Sequence, residues 1–238
     1  MTIDTSRHRE VFDANENDVP VAIIGAGATG SHVFAELVKL GMHRVTVIDD
    51  DDVEQHNLAN QIYTYSDVGH PKIDGCFRHV ERKLGEVPPS YRFTHERVTA
   101  DNANYVVPGN AIVFLLVDTM AARDELMTAL RAMPFPPALI IETRMASTHG
   151  TVFALNPFDK VQIREWRKTL VSDDDEDSNE MSACGTSLTV GTTANFIACT
   201  AVWQMMQFFT NPDGMAAKID LFCKPTMMFT EQAFGVAA

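Results

Sequence analysis

The segment Gly25-Ala26-Gly27-Ala28-Thr29-Gly30 constrains the fold more than any other part of the chain. It is a G-x-G-x-x-G pattern that follows an apolar run, residues 19–24, and opens a helical stretch, residues 30–40. The first Gly permits a tight turn and the second lets a phosphate approach the backbone. The third packs helix on strand, and the helix N-terminus attracts the anion. A second apolar run, residues 44–49, ends at Asp49, where a carboxylate can bind a ribose hydroxyl. These features alone leave NAD, FAD and ATP unseparated, and a nucleotide-free domain of the same architecture stays open.

The rest of the chain continues the alternation. Residues 71–84 are predicted helical, with Pro71 at the first position and Ile73, Phe77, Val80 and Leu84 on one face. Runs at 111–117 and 138–141 read as strands of the kind buried in parallel sheets, with a helix over 120–133 between them. Strands alternating with helices predict an α/β fold, a Rossmann-like doubly wound and mainly parallel sheet. Residues 150–154, 219–222 and 225–230 add an antiparallel C-terminal part, and 187–210 contains a long buried helix. One domain is expected over residues 1–238, with 1–18 as an N-terminal arm and 158–183 as a mobile acidic crossover loop. The acidic reading of that loop comes from Ser-Asp-Asp-Asp-Glu-Asp-Ser-Asn-Glu at 172–180, whose like charges repel a compact fold.

Composition narrows the partners. Lys plus Arg is 19 and Asp plus Glu is 32, a net charge of −13, which argues against nucleic acid and anionic membranes because both need a basic face. The four cysteines, at 76, 184, 199 and 223, form no C-x-x-C pair, so no zinc site is expected. The first twenty residues lack the apolar core of a signal peptide, and the apolar stretch 195–209 is interrupted by Thr200, Gln204 and Gln207. A soluble, cytoplasmic protein is the expectation.

Two residues separate the nucleotides. Lys72 stands in the first turn of a helix, where the dipole disfavours a cation by a few tenths to about 1 kcal/mol. A nearby polyanion reverses that sign, so Lys72 suits a triphosphate, although a solvated lysine is the commoner case. Asp118 ends a strand at the carboxyl edge, where doubly wound sheets bind ligands, and can hold magnesium. Its alternative role is a helix cap, worth about 1 kcal/mol.

Taken together, these residues resemble the adenylating domain of the ThiF/MoeB/ubiquitin-activating enzyme family. That family reads G-x-G-x-x-G, then D-x-D-x-V-x-x-x-N-L-x-R-Q, then D-x-G-x-x-K, then a strand ending in Asp with Arg five residues on. The chain matches with Gly25, Gly27 and Gly30, with Asp49, Asp51, Val53, Asn57, Leu58 and Gln61, with Asp67, Gly69 and Lys72, and with Asp118 and Arg123. The resemblance runs on through Thr143-Arg144-Met145, 150–153 and 184–209, and so covers nearly the whole chain.

By this resemblance the chain binds ATP and magnesium and adenylates the C-terminal glycine of a ubiquitin-like or sulfur-carrier protein. Asp49 would hold the ribose, Asn57 and Gln61 would line the phosphates, and Lys72, the amides near Gly30 and magnesium on Asp118 would neutralise charge. A homodimer is implied, with Arg7 or Arg9 of a partner subunit reaching the phosphates, and a conjugating enzyme is a further candidate partner. Family members that transfer the acyl group carry a cysteine where this chain has Cys184, before Gly185 and the final helix, which marks Cys184 as the candidate nucleophile. The chain departs from the pattern at Asn60, which replaces the arginine of N-L-x-R-Q. Other readings are a sulfur-carrier, small-molecule or tRNA adenylyltransferase without a thioester step, a catalytically silent partner, and an NAD-dependent dehydrogenase. The last leaves Lys72 and Asp118 idle.

Overall fold

The computed structural model describes residues 3–170 and 188–232. Its strands are β1 (Val21–Ile24), β2 (Val45–Ile48), β3 (Arg92–Thr94), β4 (Ile112–Leu115), β5 (Leu139–Met145), β6 (His149–Leu155), β7 (Lys218–Cys223) and β8 (Thr226–Glu231). They form a single sheet in the order β3-β2-β1-β4-β5-β6-β7-β8. Pairings from β3 to β5 are parallel, and those from β5 to β8 are antiparallel. The fold matches the mainly parallel, doubly wound sheet with an antiparallel C-terminal part. β1, β2 and β4 are buried along their whole length, as continuous apolar runs in a covered parallel sheet should be.

Helices α1 (Ala28–Leu40), α2 (Lys72–Leu84) and α6 (Gly191–Thr210) cover one face; α3 (Ala103–Val106), α4 (Met120–Ala132) and α5 (Lys160–Arg167) cover the other. Local chemistry sets their ends. α1 and α2 stop at Gly41 and Gly85, whose φ of +76° and +81° costs a glycine little. α4 starts where the Thr119 hydroxyl accepts the Ala122 amide at 3.2 Å, and α5 where Asp159 accepts the amides of Val161 and Gln162.

Two expectations need correction, and two features were not anticipated. β3 was not foreseen: three residues carry too little pattern to stand out. Phe77 is 42% exposed, and Cys76, at 0%, takes its place on the buried face of α2. Part of the expected loop at 158–183 is helix α5, whose Trp166 is fully buried and donates its Nε1–H to Glu142 at 3.0 Å. The N-terminal segment lies outside the sheet as expected, yet Phe12 is 1% exposed and its ring lies 6.1 Å from that of Phe209. Burying one such side chain contributes about 1.5–3 kcal/mol, enough to anchor the segment. No helix among the described residues is long and apolar enough to cross a membrane.

Candidate functional site

The strand order changes direction between β1 and β4, and ligands of doubly wound sheets bind at that point. The glycine loop follows β1, Asp49 follows β2 and Asp118 follows β4, so topology brings all three to one sheet edge. They line a cleft of about 250 Å³ together with Gly25, Gly27, Asp51 and Lys72. A larger groove of about 790 Å³, between α3 and α4, includes Ala103, Ala121, Ala129 and Ala132 and touches none of these residues.

The three glycines serve different ends. Gly25 has φ +94°, and a Cβ there would stand 2.6 Å from the Leu116 carbonyl oxygen. A Cβ on Gly30 would lie 1.9 Å from the Gly25 oxygen, so both are required by the protein's own packing. Gly27 is different: a Cβ there would meet nothing within 4 Å, and the residue lines the cleft. Nothing in the protein's own packing requires it to be glycine, and the space beside it is open to the cleft.

Asp49 sits behind the loop rather than at its mouth. Its Oδ2 accepts the Ala26 N–H at 2.6 Å and its Oδ1 accepts the Asp51 N–H at 2.9 Å. Burial pushes its carboxyl above the usual range, against the pull of Lys72 and of those two amides. Lys72 lies between carboxylates: its Nζ donates to Asp51 Oδ2 at 2.6 Å and stands 3.8 Å from Asp49 Oδ1. The Lys72 side chain is 9% exposed and that of Asp51 66%, so Asp51 is the partner free to move when an anion arrives. Asp118 is exposed and accepts its neighbouring Thr119 N–H at 2.9 Å. Among the described residues no three His, Cys, Asp or Glu side chains gather as a metal site.

Sequence reasoning missed part of the lining. Asp50, Glu96 and Arg97 also border the cleft, the last two because they follow β3. With them, five carboxylates and two cations face the space. That set suits sugar hydroxyls and metal-bound phosphate better than a naked polyanion.

Several predicted residues lie elsewhere. Arg123 does not line the cleft; it is buried and donates through Nη1 to Glu142 and to the Thr143 carbonyl. Glu142 also receives Arg144 at 3.2 Å, and Arg144 donates to the Thr169 carbonyl at 2.7 Å. Arg123 thus docks α4 onto β5 instead of meeting a nucleotide in this arrangement. Asn57 is buried, and its Oδ1 accepts the Glu54 N–H at 2.8 Å, closing a 3-10 turn. Gln61 opens into a second cleft of about 450 Å³ on the α1 and α6 side, with His32, Asn60, Gly191, Thr192 and Asn195. Arg7 and Arg9 are exposed, and their segment packs near Gly41 at the far end of α1, roughly 20 Å from the glycine loop for a helix of this length. They do not approach the cleft of their own chain. Cys184 lies outside the described residues. Cys76 is fully buried, with its thiol pushed up to about 12, and burial also raises that of Cys199, so neither is poised as a thiolate.

Comparison with known proteins identifies the family of the chain and the fold it shares. The chain is 29% identical over 143 residues to the sulfur carrier protein ThiS adenylyltransferase of Escherichia coli, covering 59% of this chain and 54% of the relative. It is 32% identical over 117 residues to the SAMP-activating enzyme E1 of Haloferax volcanii, covering 49% and 43%. The matched region thus spans about half the length of each. Among solved structures, PaaA superposes with a TM-score of 0.70 at 17% identity, covering 99% of this chain and 76% of that one. E. coli MccB with ATP superposes at 0.69 and 17% identity, covering 96% and 69%; at such identity these matches speak for the fold. A family model, the ThiF family, matches residues 13–232, and the chain belongs to that family.

Proposed function

We propose that the chain binds magnesium-ATP in the cleft beneath the glycine loop and adenylates the C-terminal carboxylate of a small carrier protein, ubiquitin-like or sulfur-carrying. The observation that carries this reading is the convergence of Gly27, Lys72 and Asp118 on one cleft at the switch point of the sheet. A carboxylate is a poor electrophile, and attack by its oxygen on the α-phosphorus, with pyrophosphate leaving, converts it into a reactive acyl-adenylate. The protein must align two anions and offset charge that builds in the transition state. Lys72 can turn from Asp51 to a phosphate without leaving a carboxylate buried alone, since Asp51 faces solvent. Asp50 and Asp51, both exposed at the mouth, are the accessible acceptors for ribose hydroxyls. Magnesium on Asp118 would supply charge neutralisation at the phosphates.

Transfer to Cys184 is the finer part of this proposal: the thiolate attacks the acyl carbonyl and expels AMP. A homodimer with Arg7 or Arg9 acting across the interface belongs to it too, because these side chains cannot serve their own cleft. A second reading, adenylation of a carboxylate on a small molecule or tRNA, is favoured by a relative of another kind. The E. coli tRNA threonylcarbamoyladenosine dehydratase is 26% identical over 157 residues. ATP–pyrophosphate exchange decides between the two. Exchange that requires a Gly-terminated β-grasp protein supports the first; exchange driven by a modified nucleoside carboxylate supports the second; no exchange with either removes both. A reductant-sensitive adduct that forms in wild type and not in Cys184→Ala would support the transfer step.

A further inference from the structure

The cleft between α1 and α6 has no part in the proposed function, yet His32 in its lining lies two residues after Gly30 of the glycine loop. Among the described residues its lining contains a single titratable side chain, His32, one turn into α1. The ring is anchored: Nε2 lies 3.2 Å from the Asn60 carbonyl oxygen. A carbonyl only accepts, so Nε2 carries a proton, and Nδ1 has no protein partner among the described residues. Neutral His32 offers a lone pair there, and protonated His32 offers a charged donor.

The surroundings favour an anion. α1 begins four residues before His32, and side chains on a helix lean toward its N-terminus. α6 begins at Gly191 with no side-chain cap, and its Gly191 and Thr192 line the space. The N-terminus of α6 therefore opens on the cleft. Asn60 is 9% exposed, and its Oδ1 has no hydrogen-bond partner. Its Nδ2 donates to the Thr189 hydroxyl, a group that can donate as well as accept. Turning the amide by half a turn keeps that bond and presents an N–H₂ in place of the unpartnered oxygen. Gln61, whose Oε1 is also unpartnered, can turn likewise.

We propose that His32 is the proton-linked cation of a pyrophosphate subsite in this cleft. Binding of the polyanion draws a proton onto Nδ1, and leaving pyrophosphate is held by His32 with the α6 amides. The inference rests on the nucleotide reading above and adds to it one residue and one proton. Few other charges bear on the ring. On α1, Glu36 and Lys39 lie further along and pair with each other at 2.6 Å. The 59–61 loop brings none, and α6 carries no charged residue along its length.

The test uses inorganic pyrophosphate with the full chain. Calorimetry in two buffers of different ionisation enthalpy gives the protons taken up on binding. Near pH 7.5, wild type should take up roughly one proton more than His32→Gln, which keeps a donor but cannot become charged. Its affinity should fall up to about tenfold per pH unit relative to that variant. His32→Arg should bind tightly with no such difference. An NMR titration of the wild-type His32 ring, free and with pyrophosphate, should show its pKa rise on binding, independent of any variant's folding. Equal proton uptake in wild type and His32→Gln, an unmoved ring titration, or no pyrophosphate binding by wild type would each overturn the proposal. Carrier-dependent ATP–pyrophosphate exchange surviving any of those results would leave the adenylation reading standing without His32.

Discussion

The cleft beneath the glycine loop holds five carboxylates and two cations, whereas the cleft between α1 and α6 shows one titratable ring among its described residues. In the first, charge is fixed in place: Lys72 is held between Asp49 and Asp51 before any ligand arrives. In the second, charge is conditional on what the cleft contains. Substrate can bind where compensating charge is permanent, while a product that must leave is better held by a charge that can be given up.

The largest expected effect lies in the first cleft. Lys72→Ala removes the cation and leaves Asp49, whose side chain is 6% exposed, with no opposite charge. ATP–pyrophosphate exchange should fall roughly 10²–10³-fold, the range for losing one preorganised charge-stabilising group. His32→Gln, by contrast, should lower exchange only several-fold at pH 7, about 1 kcal/mol, as loss of one hydrogen bond does. Similar losses for both would abolish the distinction between fixed and conditional charge.

Asp118→Asn is expected to act next, and through the metal. The magnesium concentration for half-maximal exchange should rise on the order of tenfold, since a metal-supporting carboxylate contributes about that much. A midpoint unchanged from wild type would mean that Asp118 does nothing for the metal, since Thr119 already caps α4.

The glycines sharpen the boundary between what the fold needs and what a ligand needs. Gly25→Ala and Gly30→Ala force a Cβ against backbone at 2.6 and 1.9 Å. Each should cost about 1–3 kcal/mol or more in urea unfolding. Gly27→Ala meets open space and should stay within about 0.5 kcal/mol of wild type. Its nucleotide affinity should nevertheless fall roughly tenfold, about 1.4 kcal/mol, because the added methyl stands where a phosphate approaches. A Gly27→Ala protein with unaltered nucleotide affinity would detach the glycine loop from ligand binding.

The sequence disclosed the nucleotide side of the molecule because its signals are local. The glycine spacing, Asp49 at a strand end and Lys72 in a first turn each have meaning within a few residues, and the sheet brings them together. What escaped depends on contacts distant in sequence. Arg123 matches a motif position, yet Glu142, 19 residues on in β5, holds it inside the protein. Asn57 matches as well, and its side-chain oxygen closes a turn with Glu54. Glu96 and Arg97 were invisible because β3, which delivers them, has three residues. Helix α5 was hidden by the acidic run behind it, although Asp159 before residues 160–167 is an ordinary helix-start signal. His32 carries no motif; its one hint is a titratable side chain in an otherwise apolar part of α1.

The smallest expected effect concerns that side chain in the protein without ligand. Burial lowers the His32 pKa from 6.5, opposed by the Asn60 carbonyl and Glu36 and assisted by Lys39. The folded state then binds fewer protons than the unfolded chain just below pH 6.5, so stability rises with pH there. The contribution is present above 6.5 and is lost as pH falls through the folded-state value. His79 acts in the same direction: burial lowers it, with Arg82 and Lys83 helping. Asp67 does not interfere. Burial pushes its carboxyl up, but hydrogen bonds from Thr64 and Arg78 outweigh this and hold it below 3.8, so its contribution is lost only at lower pH. Denaturant midpoints measured between pH 5 and 7.5 should fall toward acid in wild type, by less in His32→Gln or His79→Gln, and least when both are replaced. Saturating pyrophosphate should reverse the His32 part, because the bound state carries the extra proton and is favoured by acid. The wild-type gain in midpoint from pyrophosphate, relative to that of His32→Gln, should then grow as pH falls through 7. A relative gain that is flat with pH would return His32 to the status of a packed helix residue and make the second cleft as fixed in charge as the first.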